Sequence, residues 1–182
     1  MNKYIMLTLL VIILVSGCKN NISETNNSAQ IGTETTKILV QNITHKDFTI
    51  IKPKSWKETS LPQATLYKYF PPEVNSSDAR PENIMIIVDN TPKDKSIEEV
   101  IKLIVEGSQD LKITEGPKPA KLGPLEGMMI RTEKTFDGEK MESIQIFAKN
   151  DKKMYAMTYS CMAGNCKNYH IFEMMAKSFQ PK

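Results

Sequence analysis

Histidine, clustered charge and the signatures of the common enzyme classes are all scarce in this chain of 182 residues. Only His45 and His170 ordinarily titrate near neutrality, and neither stands beside a nucleophile motif, so a proton shuttle has little to be built from. The sequence holds no glycine-rich phosphate loop, no His-Glu-x-x-His metal helix, no Gly-x-Ser-x-Gly elbow and no Cys-x-x-Cys redox pair. These absences weaken the usual enzyme classes, and the expectation is a protein that is not an enzyme. Lysine and arginine total 24 against 21 aspartates and glutamates, a formal net charge of +3. The basic residues are scattered among acidic ones without a dense run, which argues against a phosphate-tracking, nucleic-acid-binding face. Glu98 and Glu99 resemble a carboxylate pair, but a helix start accounts for both.

What the chain does have is one long apolar run at its beginning. Lys3 supplies a positive flank, and Ile5 to Val15 form an eleven-residue apolar core broken only by Thr8. At ~1.5 Å per residue such a helix covers roughly 16 Å, about half of a ~30 Å hydrocarbon core, so length argues against a membrane span. The order of positive flank, apolar core and small residues is that of a secretory signal. Val15-Ser16-Gly17-Cys18 at its end resembles the lipobox of bacterial lipoproteins. That resemblance implies a diacylglyceryl group on the Cys18 thiol, cleavage before Cys18 and attachment to the lipid bilayer through that residue. Two or more acyl chains hold a protein stably where one does not. The implied location is the bacterial cell envelope. Lys19, not Asp, follows the cysteine, which favours the outer membrane if the cell is Gram-negative, with the domain facing periplasm or exterior.

The expected partition is therefore a cleaved signal peptide over 1–17, a lipidated Cys18 with a polar tether over 18–44, and one globular domain over 45–182. From Lys19 to Thr36 the chain is rich in Asn, Ser, Thr, Glu and Gln, and buries too little apolar surface to offset the entropy of ordering. Beyond it, Phe48 to Pro53 reads as a strand stopped by proline, with Trp56 in the following turn. Ala64 to Phe70 and Asn83 to Asp89 read as further strands, the latter buried and central, and Glu73 to Pro81 as an exposed loop. Ser96-Ile97-Glu98-Glu99 is a capping box, and Ile97, Val100, Ile101, Ile104 and Val105 recur at helical spacing, which predicts a helix from Ile97 to Glu106. Leu111 to Glu115 predicts a short strand, and the prolines and glycines from Gly116 to Pro124 an irregular connection. Strands at 127–136, 140–149 and 153–160 form a meander turned at Asp137-Gly138 and Asn150-Asp151. Tyr169, Phe172, Met175, Ala176 and Phe179 predict a terminal helix. The fold class expected is α+β, an α/β/α sandwich with a central, mainly antiparallel sheet and two main helices.

This order of elements, with Phe48 to Pro53, Trp56, the helix opened by Ser96 to Glu99, the strand Met154 to Tyr159 and a terminal helix closing at Ser178-Phe179, resembles PsbP-like domains over residues 45–180. These include bacterial lipoproteins. The resemblance implies a central antiparallel sheet between helices and core roles for Trp56 and Phe179. The chain departs from it in its Cys161/Cys166 pair and its methionine-rich C-terminal half.

Cys161 and Cys166 are the two thiols left once Cys18 is lipidated, and an exported compartment permits a disulfide between them. Gly164 and Asn165 let the intervening segment turn. The alternative is a periplasmic soft-metal site for Cu(I) from Cys161, Met162, Cys166 and His170, since thiolate, thioether and imidazole suit that ion. Met154, Met157, Met174 and Met175 add sulfur nearby, although strand and helix periodicity place several in the core. The expected function is a lipid-anchored envelope protein, a non-catalytic binding or assembly module with no cofactor beyond the lipid. Its protein partner would meet the 75–80 loop together with Tyr67 and Tyr69.

Replacing Cys18 with Ala is expected to abolish metabolic lipid labelling and to leave the unprocessed precursor; normal labelling of that variant would overturn the assignment.

Overall fold

The computed structural model describes residues 38–61, 65–74, 82–89, 95–108 and 110–182, without the side chains of Ser60, Leu61 and Phe136. The signal segment, Cys18 and the loop over 75–80 lie outside the described residues. In chain order the elements are β1 (Val40–Thr44), β2 (Phe48–Pro53), β3 (Lys57–Leu61), β4 (Leu66–Phe70), β5 (Asn83–Asp89), α1 (Ile97–Glu106), β6 (Leu111–Leu122), β7 (Leu125–Phe136), β8 (Glu139–Lys149), β9 (Met154–Met162), α2 (Tyr169–Ser178) and β10 (Gln180–Pro181). Seven strands form an antiparallel sheet ordered β3-β4-β5-β9-β8-β7-β6, and β1-β2-β10 form a small antiparallel sheet beside it. The class is α+β, as the interleaving of strands and helices predicted.

Side chains alternate along each strand, and both parities of the central strands are apolar. Ile84, Ile86, Ile144, Ile146, Tyr155, Met157 and Tyr159 belong to one core, completed by Phe48 and Ile50 of β2 and by Ile171, Phe172 and Met175 of α2. The intervening residues Ile87, Phe147 and Ala156 belong to a second core with Ile130 and the α1 side chains Val100, Ile101 and Ile104. The face-sharing of Ile144, Ile146 and Ala148, and of Tyr155, Met157 and Tyr159, is as the period-two pattern required. Helix α1 keeps the expected bounds because its start is local. The Glu99 N–H donates to Ser96 Oγ at 3.1 Å, and the Ser96 N–H to Glu99 Oε2 at 2.6 Å.

Three local expectations change. The stretch assigned to the tether up to residue 44 contains β1, whose Val40 to Thr44 pair with Pro53 to Thr49 of β2. Its alternation is polar enough to read as linker, and only the neighbouring strand supplies the missing hydrogen-bond partners. Residues 116–122 continue β6 rather than leaving the sheet, because register shifts around Glu115 and Lys118 absorb the Gly116-Pro117 cis peptide while pairing with β7 resumes beyond it. Strands β3 and β10 are additions that the sequence pattern did not mark. Trp56 and Phe179 are core residues, 4% and 0% exposed. The turn carrying Trp56 is held from inside by Lys52, whose ammonium donates to the Trp56 carbonyl.

The β6–β7 turn shows why one glycine is required. Gly123 has φ +57°, its N–H donates to the Ala176 carbonyl at 2.7 Å, and an added Cβ would stand 1.8 Å from the Phe179 carbonyl oxygen. Gly123→Ala is therefore expected to lose well over 1 kcal/mol of stability, roughly 2–4 °C of Tm per kcal/mol in a domain of this size. Thermal denaturation checks this, and an unchanged Tm would show that the contact is not made.

Candidate functional site

A cleft of about 370 Å³ lies on the sheet face that also carries α2. Its wall is made by three adjacent strands, with Arg131 and Glu133 of β7, Glu142 and Ile144 of β8, and Tyr159 and Cys161 of β9 sharing one parity and Thr132 and Ser143 between them. Tyr169, Cys166 and Thr114 close its margins. The meander produces this convergence, because Arg131 pairs with Ile144, Glu133 with Glu142, and Glu142 with Cys161. The Cβ atoms of residues directly opposite on one face stand within about 5.5 Å, so Glu133 and Glu142 are cross-strand neighbours.

Cys161 and Cys166 are bridged, with Cα atoms 5.3 Å apart. The disulfide edges the cleft and ties the end of β9 to the segment that starts α2. With both sulfurs in the bridge, no thiolate is left for a soft metal in this form, while Met162 is half-buried and His170 exposed on the first turn of α2. Among the described residues no group of three or more His, Cys, Asp or Glu is placed to hold a metal. Glu142 Oε2 lies 3.8 Å from Cys166 Sγ.

Charge around the cleft is organised. Arg131 Nε bonds Glu115 Oε2 at 2.7 Å, and its guanidinium lies 5.5 Å from the Tyr169 ring centroid, within cation–π range. Lys118 also bonds Glu115, and these two cations, Lys118 foremost, hold that carboxyl below the usual range. Glu82, just before β5, reaches the start of α2. Its Oε1 accepts from the Asn168 N–H at 2.8 Å, its Oε2 accepts from Asn168 Nδ2 at 2.7 Å, and the Tyr159 hydroxyl donates to it. Burial, reinforced by Glu82, pushes the Tyr159 phenol pKa up, so this hydroxyl stays a donor. A carboxylate at the positive end of a helix is favourable, and here it comes from 86 positions away, a distance no local capping signal reports. The cleft thus gathers Glu133, Glu142, the Arg131 guanidinium and the Tyr169 ring in one lining.

A second cluster, unmarked by any motif, surrounds His45. Its Nε2 lies 2.9 Å from the Tyr69 hydroxyl and 3.4 Å from Glu58 Oε1, with the Tyr67 ring centroid at 4.2 Å. Nearby Asp47, 4% exposed, pairs with Lys153 at 2.6 Å. Tyr69 is 0% exposed and Tyr67 half-buried, and the 75–80 loop expected to join them lies outside the described residues. Their aromatic bodies are packed about His45.

Removal of the disulfide by Cys166→Ser is expected to lower stability by about 2 kcal/mol, the chain-entropy value for so short a loop, or about 4–8 °C in Tm. An unchanged Tm would count against any stabilising role. Burial, outweighing Glu58 and joined by Lys182, lowers the His45 pKa from 6.5. The unfolded chain then binds more protons in that window, so stability falls as pH drops below about 6.5 through the folded value. His45→Gln is expected to flatten that limb of the Tm–pH curve, and an identical slope would remove His45 as its source.

No family model matches the sequence, and no curated protein matches it. Among solved structures, a protein of Bacteroides thetaiotaomicron VPI-5482 aligns over 74% of this chain at 11% identity and TM-score 0.51; the match covers 45% of that protein. LpqN of Mycobacterium tuberculosis, described as involved in cell envelope biogenesis, aligns over 80% of this chain and 91% of its own at 9% identity and TM-score 0.52. PA94 of Pseudomonas aeruginosa aligns over 72% of this chain and 88% of its own at 14% identity and TM-score 0.43. At such identities the likeness to the first two is one of fold: the chain shares its α+β architecture with bacterial proteins, one of them tied to the envelope.

Proposed function

We propose that this is a lipid-anchored protein of the bacterial cell envelope, acylated at Cys18, whose PsbP-like domain acts as a non-catalytic binding or assembly module through the cleft beside the disulfide. The observation that carries the reading is the lining of that cleft. Its acidic pair is set opposite by β-sheet register, its guanidinium is ion-paired to Glu115 and the Tyr159 hydroxyl is bonded to Glu82, while its two cysteines are bridged and no histidine lies among its lining residues. Side chains so arranged supply fixed charge and hydrogen-bonding groups for recognition. The α/β/α layering belongs to the same reading, supported by the two cores on opposite parities of the central strands. The lipobox-like Val15 to Cys18 supports the anchor, and the fold shared with an envelope-biogenesis protein agrees with the location.

A photo-crosslinking residue at Thr114, on the cleft margin, tests this in living cells against the same residue at exposed Lys121, which is not among the lining residues. A discrete adduct formed from position 114 and absent from 121 is expected, and Glu133→Lys/Glu142→Lys is expected to reduce its yield about tenfold or more. No adduct at 114, or the same adducts from both positions, would overturn the role of the cleft.

A further inference from the structure

The large apolar side chains left exposed among the described residues are three in a row, Ile38, Leu39 and Val40, at 44%, 66% and 42%. Single exposed apolar residues need no explanation, but a contiguous run does. The run stands where the chain joins the domain: Val40 opens β1, an edge strand of the small sheet, and pairs with Pro53. The Leu39 carbonyl accepts from the Lys54 N–H at 2.9 Å, which places the β2–β3 turn beside it. Lys54, in that turn, and Lys57, which opens β3, are both exposed. The foot of the domain is thus apolar, with one exposed lysine in the turn that its backbone bonds and another just after that turn.

We infer that Ile38, Leu39 and Val40, with Lys54 and Lys57, form a lipid-contacting foot that seats the domain against the surface of the membrane that holds its anchor. The inference rests on the reading of Cys18 as the lipidated residue. Only residues 19–37, nineteen positions, separate that residue from Ile38. Fully extended they span at most about 65 Å at ~3.3–3.6 Å each, so the foot is always within reach of the bilayer and is the part of the described domain nearest to it along the chain. Three partly exposed side chains are too few to hold a free protein on a membrane. A linker of that length makes the contact intramolecular, at effective concentrations in the millimolar range, where a weak contact is populated. The two lysines suit an anionic lipid surface. A second copy of the chain fits less well, because a stable dimer needs on the order of 800 Å² from each partner and this patch offers a fraction of that.

The test uses the full mature protein purified from membranes, with a fluorophore on Leu39→Cys or, as a control, on exposed Asp151→Cys in the β8–β9 turn; the bridged Cys161 and Cys166 leave the new thiol free to label. Each is reconstituted into phosphatidylethanolamine/phosphatidylglycerol vesicles carrying a lipid-borne quencher, and intact mass reads the acyl group on Cys18. Quenching at position 39 roughly threefold or more above that at 151, reduced by Lys54→Glu/Lys57→Glu, is expected for a lipid-seated foot. Equal quenching at the two positions in an acylated protein would overturn the foot while leaving the anchor intact. A position-39 signal that depends on protein density rather than on lipid would overturn it in favour of a second copy. An unacylated Cys18 would overturn both the anchor and the inference built on it, and the mass separates that failure from the others.

Discussion

The architecture depends on the seam where the C-terminal segment locks the small sheet to the large one. Phe179, fully buried, stacks on Phe48 of β2 with centroids 5.2 Å apart and meets Tyr155 of β9 edge-on at 5.1 Å. One ring therefore touches both sheets, and such aromatic pairs add to the free energy of burial because their geometry suits the ring quadrupoles. Around it the backbone closes. The Ile51 N–H donates to Ser178 Oγ at 3.0 Å, Gln180 and Pro181 pair with Thr49 and Phe48, and the Lys182 N–H donates to the Asp47 carbonyl at 3.0 Å. The buried Asp47 carboxylate is answered by Lys153 of the β8–β9 turn, a charge that would be costly in this place without a partner.

The same seam explains why the cleft keeps its shape. Helix α2 is fixed at its end by Phe179 and at its start by Glu82 and the disulfide, so the side chains near its first turn are set against strands that are themselves held on both sides. The cleft therefore lies on regular strands, where position is determined by register, more than on loops. The β1–β2 sheet has the opposite character at its far edge, where Leu39 and Val40 are left open to whatever lies beyond the domain.

The two helices show how unequal the sequence is as a guide. The start of α1 was readable because Ser96 and Glu99 satisfy each other's backbone groups within four residues. The start of α2 was readable only as periodicity. Its N-cap residue Asn168 makes no side-chain cap bond, and the carboxylate that serves the helix end belongs to Glu82 on a different element. The cleft was hidden for a similar reason: Glu133 and Glu142 are nine positions apart, and only β7–β8 register makes them neighbours. Cys161 and Cys166 were the one part of it that a linear reading could mark, since their pairing is set by a short local turn. His45 was visible as a scarce residue, yet its partners Glu58, Tyr67 and Tyr69 belong to other strands and carry no motif.

Period-two and period-3.6 patterns by themselves determined the helices, the meander and the α+β class, because hydrophobic burial and capping act between residues close along the chain. The sequence also marked Cys18 as the candidate anchor, since a processing signal is read as linear text. Tertiary structure decided that residues 40–44 are a strand, that β6 runs through its prolines, that Tyr69 faces inward, and that two distant glutamates, an arginine and a disulfide share one cleft. Those outcomes depend on which strands become neighbours, and pairing is settled by the cooperative burial of both sheet faces, a property of the whole chain that no local window contains.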